Sequence, residues 1–555
     1  MTTNTYGNGA NMISVNRMQG SVIEILLTNN VKIENPFWDI EIKADFYHKD
    51  KKISQTVTGF YNGSGTSGEN SWIIRWRPIA AGSWSCRIAS SSKLAGFQEE
   101  IELEITEEEL FSRGSLRVNN TKEWKFCFEN GEPFFLLGDT MYNLFGAYYC
   151  GVDVKSILQK RKQQGVNYLR VRMQNSSFHS PVYSSWISKD CWPWGGTAQW
   201  PDFKSFNLDY FKAVDEVIQL VSDLGFGLEV IFEAWMLEFP FNDRARFIPE
   251  YEELWFQYII ARYSAFPCVY IWCPANEYEF YPDGTAKYQS EADRFMKRMT
   301  KYIRENDPYE HPIGVHNWGE EMTPLTERMS NVQDLDVYLV QTAWVKELFK
   351  PGADIELCAN LEEQVQQLVP ISDRAAMVSE FGYEMTDGQS TVDAHELLNH
   401  HHTRRGQWRA GFAGYPVVHG FNNTWGPHMN IETDSRGADY LIHYARFMTM
   451  DIKFYEMQPN KSILIKVSGE KGETQPVCLS NRDNSVIAIY YPVPGECELN
   501  LMEPLSKYSC YWYNPCNGAK SEPEYCSSYH FATPETDNRK DWVLVIKLSQ
   551  ADGEL

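Results

Sequence analysis

The run Val269-Tyr-Ile-Trp-Cys-Pro-Ala-Asn276-Glu277-Tyr278 is short, apolar and β-leaning, and it stops abruptly at an acid. A second run, Ala375-Ala-Met-Val-Ser379-Glu380-Phe381-Gly382, does the same. A buried parallel strand that ends on a carboxylate is how a barrel delivers an acid to its C-terminal mouth. The two glutamates lie about a hundred residues apart, roughly the length of three strand–helix units.

Counting outward from these runs gives eight strand candidates. They are Pro133–Gly138, Asn167–Arg172, Gly227–Phe232, Val269–Cys273, Pro312–His316, Asp336–Gln341, Ala375–Ser379 and Tyr415–Gly420. Helical periods separate them. After the N-cap candidate Asn207, apolar residues from Leu208 to Leu224 recur every three to four positions, and Gly225 stops the run. Val154–Gln164, Glu250–Ser264, Ala286–Glu305, Asn360–Val369 and Ala438–Met450 behave similarly. Eight strands with intervening helices predict an α/β chain built on a (β/α)8 barrel over residues 115–453. A doubly wound sheet needs a Gly-rich first turn, and Leu137-Gly-Asp-Thr-Met offers none.

On either side the pattern is short alternating strands. Residues 13–108 contain Ser21-Val-Ile-Glu-Ile-Leu-Leu and Trp72-Ile-Ile-Arg-Trp-Arg, and end in the acidic run Glu107-Glu-Glu-Leu. Residues 454–555 contain Ser485-Val-Ile-Ala-Ile-Tyr-Tyr and Trp542-Val-Leu-Val-Ile-Lys-Leu. Each predicts a β-sandwich. At 555 residues the chain is too long for one core, so several domains are expected.

A net charge of −23 with no basic block argues against nucleic acid and anionic membranes as partners. No apolar run reaches transmembrane length. Twelve scattered cysteines show no metal-ligand spacing, so neither metal nor other cofactor is expected. The polar first twenty residues and apolar surroundings of Cys268, Cys273 and Cys478 suggest a cytoplasmic protein with free thiols. Homo-oligomerisation stays open.

Read in barrel order, the strand ends offer Asp139, Thr140 and Tyr142; Arg170, Arg172 and Asn175; then Glu233 and Trp235. Next come Asn276, Glu277 and Glu279; His316, Asn317 and Trp318; Gln341, Thr342 and Trp344; Glu380; and finally His419, Asn422, Asn423 and Trp425. Paired carboxylates with amides and rings around them suit glycoside hydrolysis of an oligosaccharide. Glu380 must be ionised to attack, and Arg172 and Tyr338 are candidates to hold its pKa low. Glu277 must stay protonated, through a dry setting or its partner's charge. A non-catalytic carbohydrate-binding scaffold would not need both acids. A metal-dependent barrel hydrolase would want a His-x-His near the first strand, which reads Phe134-Phe-Leu-Leu-Gly-Asp-Thr.

The two motifs resemble the clan of retaining (β/α)8 glycoside hydrolases with Asn-Glu ending strand four and Glu ending strand seven. Ala81-Gly-Ser-Trp84-Ser-Cys similarly looks like the sandwich of unknown function ahead of some glycosidase barrels. The resemblance implies Glu277 as acid/base, Glu380 as nucleophile and Asn276 on the substrate's 2-hydroxyl, with β-glycosidic or stereochemically equivalent bonds cleaved by double displacement. The chain departs from it at Cys273-Pro274 and at Gln341, where many members place a His or Tyr beside the nucleophile. Glu233, Glu279 and Glu384 are additional acids nearby in sequence.

Residues 178–206 form a long connection after the second strand. Within it, Trp192 and Trp194 either wall a sugar subsite or pin the connection onto the barrel. His400-His-His402 reads as a solvated helix face, not a metal site, since consecutive side chains diverge.

Overall fold

The computed structural model describes residues 4–6, 11–18, 21–65, 68–92, 96–122, 124–175, 191–234, 238–342, 361–370, 374–384, 399–425, 430–471, 474–537 and 540–549. At its centre eight parallel strands run in sequence around a near-closed barrel. They are β1 (Leu137–Thr140), β2 (Tyr168–Arg172), β3 (Gly227–Ala234), β4 (Val269–Asn276), β5 (Gly314–His316), β6 (Val337–Gln341), β7 (Ala375–Glu380) and β8 (Val417–His419). β8 pairs back onto β1 through Gly138 and Val418, and a single bridge between Trp272 and Ile313 joins β4 to β5. Every β3 and β4 residue is buried, as expected of strands covered on both faces.

Local chemistry explains the long helix Leu208–Leu224 well. Asn207 Oδ1 accepts the N–H groups of Asp209 and Tyr210, and Gly225 takes the left-handed φ of 70° that closes the C-terminus. The first strand starts at Leu137, not Pro133. Cys127 pairs antiparallel with Pro133, and Phe134 donates its N–H to Phe126 O, so these residues join the hairpin Leu116–Val118/Phe126–Phe128. The expected helix over Ala438–Met450 is broken into a 3-10 turn, the short helix Leu441–Arg446 and a π turn over Phe447–Asp451. There the Thr449 hydroxyl donates to Ala445 O, in competition with the helical ladder.

The helix His400–Phe412 corrects the reading of His400-His-His402 as a solvated face at its last member: His400 and His401 are half-buried, but His402 is buried. From His402 to Phe412 every residue is buried. Its cations look solvent-seeking in sequence but are paired inside, Arg404 with Asp541 and Arg409 with Glu362, each at 2.8 Å. Among the described residues no group of three His, Cys, Asp or Glu side chains could hold a metal.

The flanking domains are antiparallel. In the first, the long strand Ser54–Ser64 pairs with Ile42–His48 through one half and with Asn70–Trp76 through the other. Two sheet halves thereby close over a core that includes Trp72, Trp76 and Trp84. This sandwich docks on the helices outside β2 and β3. Buried Arg75 reaches Asp215 at 2.8 Å, and Arg262 reaches the same carboxylate at 2.7 Å. The C-terminal domain packs a six-stranded sheet against a three-stranded one, with Ile487, Ile489 and Leu544 between them.

Candidate active site

Period-two alternation sends Tyr168, Arg170 and Arg172 of β2 to one face, and Arg170 lies fully buried in the barrel. Its guanidinium is the hub of the site. Nε donates to Glu229 at 3.1 Å, Nη1 to Glu380 Oε1 at 3.0 Å and Nη2 to Asn276 Oδ1 at 2.9 Å. Tyr142, just past β1, points its hydroxyl at the same Glu380 oxygen and lies 3.0 Å from Asn276 Oδ1. Asn276 thus spends its carbonyl oxygen on two protein donors.

From β6 comes the remaining contact. Gln341 Nε2 lies 2.5 Å from Glu380 Oε2 and 3.2 Å from Glu277 Oε1. The two carboxylate oxygens are therefore no farther apart than the sum of those distances, about 5.7 Å. The Gly319 N–H donates to Gln341 Oε1, which assigns the amide's orientation.

The environments of the two acids are opposed. Burial alone would raise Glu380, but the Arg170 charge and the Tyr142 and Arg170 hydrogen bonds hold it below the ordinary carboxylate range. His316 Nε2 sits 3.5 Å from Glu380 Oε1, yet this is no ion pair. Burial and Arg170 push the imidazole down to about 3, so it is neutral. Glu277 is pushed up to about 8, by burial first and by the Glu380 charge second. Although its carboxyl lies deep among protein atoms, Glu277 keeps part of its surface open, which the buried Glu380, Asn276 and Arg170 do not. Its backbone is left-handed, φ 51° and ψ 57°, a strained conformation for a non-glycine residue and one that clusters at functional sites.

Other strand-end residues take different places. The cation and phenol on Glu380 are Arg170 and Tyr142, correcting the expectation of Arg172 and Tyr338. Arg172 lies one step further out, bound to Glu238 at 3.2 Å. Tyr338 sits early in β6, and its hydroxyl accepts from Arg374 at 3.0 Å. Asp139 is engaged by Arg161 at 2.6 Å, while His419 lies between Gln407 and Ser435, each at 3.0 Å; neither joins the pair. Glu384 accepts from Ser435 and Gly437.

Glu279 is fixed by Arg328 at 2.5 Å and the Trp318 N–H at 2.8 Å. Glu233 is buried, has no hydrogen-bond partner among the described residues, and has Glu252, Arg244 and Arg298 as its charged neighbours. Trp192 stacks on Phe239, and Trp194 lies 4.4 Å from Trp255 within an aromatic cluster. Both therefore pin the connection to the barrel. Trp235 and Trp344 lie outside the described residues, as does the side chain of Trp425.

Two members of the site, Glu229 and Tyr383, escaped the sequence reading. Glu229 sits mid-strand and is the partner of Arg170; the signal was an acid inside an otherwise apolar barrel strand. Tyr383 follows Glu380 by three residues and is buried near it.

A family model described as "Apiosidase-like, catalytic domain" matches residues 121–448. Models described as "Domain of unknown function (DUF5060)" and "Putative collagen-binding domain of a collagenase" match residues 18–91 and 459–547. Among curated proteins none matches. A structure from Bacteroides vulgatus ATCC 8482 named "putative glycoside hydrolase" is 15% identical with a TM-score of 0.67, covering 95% of this chain and 98% of that one. A glycoside hydrolase family 5 structure from the same organism is 17% identical with a TM-score of 0.62, covering 80% and 94%. At such identities the likeness is one of fold, whereas the first family match spans more than half of the chain. The chain therefore belongs to the Apiosidase-like family, and its barrel is a glycosidase catalytic domain.

Proposed function

We propose that the protein is a retaining glycoside hydrolase that cleaves β-glycosidic or stereochemically equivalent bonds of oligosaccharides by double displacement. The observation that carries this reading is the shared contact on Gln341. It holds one oxygen of each acid within about 5.7 Å of the other, a spacing that supports the 5–5.5 Å carboxyl gap of retaining enzymes. In this mechanism Glu380 attacks the anomeric carbon while Glu277 protonates the leaving oxygen. Glu277, then ionised, takes a proton from the water that releases the sugar. The opposed pKa directions suit that division, and with the Asn276 carbonyl oxygen taken by Arg170 and Tyr142 its amino group is the part left to donate to a sugar hydroxyl in this reading. The first-formed sugar, watched by proton NMR before mutarotation, should keep its anomeric configuration; an inverted product overturns the mechanism. The family's description makes apiosides the first substrates to try, within a panel of aryl glycosides.

A further inference from the structure

We propose that Gln341 is a positioning residue whose side-chain amino group follows the negative charge from Glu380 to Glu277 and back during turnover. The inference rests on the retaining reading above. An amide nitrogen carries two hydrogens, and here each faces one of the two acids. The contact to Glu380 is the short one and that to Glu277 the long one, 2.5 Å against 3.2 Å. That asymmetry matches an ionised acid beside a protonated one, since hydrogen bonds to a charged acceptor are shorter and stronger.

The amide is held for this task. Its oxygen accepts the Gly319 N–H. The Gln341 backbone is clamped from both sides by Asn317, whose Oδ1 accepts at 2.8 Å and whose Nδ2 donates at 2.9 Å. A Cβ at Gly319 would meet Thr342 O at 2.8 Å and Gln341 Oε1 at 3.0 Å, so the close approach needs a glycine there. A phenol at this position has one proton and could serve only one acid at a time. An amide does not titrate, so its donors persist through every protonation state of the pair.

The charge moves as follows. When Glu380 forms its bond to the anomeric carbon, the scissile C–O bond breaks and the Glu277 proton goes to the leaving oxygen. The negative charge is now on Glu277, whose bond to Nε2 becomes the charge-assisted one. Water then bonds to the anomeric carbon, its proton returns to Glu277, and the Glu380–sugar bond breaks. The charged and titratable groups facing the pair are Arg170 from β2, Glu229 from β3 on the far side of that guanidinium, and Glu279 beyond β4; His316 from β5 is neutral, and Tyr142 and Tyr383 contribute phenols.

The test uses Gln341→Met, which keeps the volume and removes both donors. Two states are compared, free enzyme and enzyme trapped on Glu380 with a 2-deoxy-2-fluoro glycoside. Glu277 titration is followed by carbon NMR of glutamate-labelled protein. In the wild type, the Glu277 pKa should drop on trapping; in Gln341→Met it should drop by about one unit less, because the donor can no longer move to it. In steady state both limbs of the pH–rate profile should shift upward, with kcat down about 10- to 100-fold and KM little changed. An equal drop on trapping in both proteins, or a slower variant with unmoved limbs, overturns the proposal while leaving retention intact. Failure of the fluoro sugar to label Glu380 in the wild type overturns the retaining reading and this proposal together.

Discussion

The backbone N–H of Glu277 donates to Nδ1 of His316 at 3.1 Å, and that bond sets the state of the ring. With Nδ1 accepting and the imidazole neutral, the proton sits on Nε2, the atom facing Glu380. Nitrogen NMR of histidine-labelled protein should show His316 as the Nε2–H tautomer, with no titration from about pH 5 to 8. A ring that titrates near the ordinary histidine value would mean that an imidazolium, not Arg170, holds Glu380 ionised.

The pH dependence of turnover follows from the two acids. In the proposed double displacement, activity requires Glu380 ionised and Glu277 protonated. The kcat/KM profile should rise with a limb below 4.5 and fall with a limb near 8. The same shift bears on stability, and its sign is fixed. Between the unfolded value of 4.5 and the folded value of about 8, the native state keeps a proton that the unfolded chain has lost. Stability therefore declines as pH rises through that window, by at most about 1.4 kcal/mol per unit. Glu277→Gln cannot ionise, so its barrel should melt a few degrees above wild type at pH ~9 and nearly level with it at pH ~5. Equal melting differences at both pH values would show that Glu277 is not raised.

Removing each acid separates their roles. Glu380→Ala should abolish turnover, and azide should restore part of it on an activated substrate by entering the vacated space. Wild-type-like turnover in that variant would end the nucleophile assignment. Glu277→Ala should lose far more rate on substrates with poor leaving groups than on dinitrophenyl glycosides, which need no protonation. Equal losses would move the acid role to Glu279 or Glu233. Glu279 is itself raised to about 7, chiefly by burial, though Arg328 occupies it.

Much of the barrel was legible because its strands are near-continuous apolar runs and its longest helix carries its own stop signals, Asn207 and Gly225. Asn276, Glu277 and Glu380 were legible for a related reason, each ending such a run. The partners of Glu380 were not, because strand alternation puts Arg170 and Arg172 on one face and depth alone separates them. Tyr338 failed for the same reason, sitting too early in β6 to reach the mouth. His402 was not legible as buried, because the helix His400–Phe412 carries its cations inside as ion pairs and so has the composition of a solvated one. Its partners, Asp541 and Glu362, lie 137 and 47 residues away from their arginines, beyond any local pattern.

That helix is also the seam between barrel and C-terminal sheet. Asp541 is wholly buried, accepts from Arg404 at 2.8 Å and from the Tyr490 hydroxyl at 3.0 Å, and lies far along the chain from Glu277 and Glu380. Asp541→Ala strands the Arg404 guanidinium without its counter-charge, a loss of about 3–5 kcal/mol. A Leu pair at both positions should recover most of it, because the desolvation cost of both charges disappears together. Calorimetry should show the C-terminal transition moved to lower temperature in Asp541→Ala and restored in the double variant. The kcat measured well below that transition should stay unchanged, since the contacts that hold Glu277 and Glu380 come from Arg170, Tyr142, Gln341 and His316, on other elements. A drop in kcat at low temperature would show instead that the seam positions the acids, through β8 and the strand that carries Glu380.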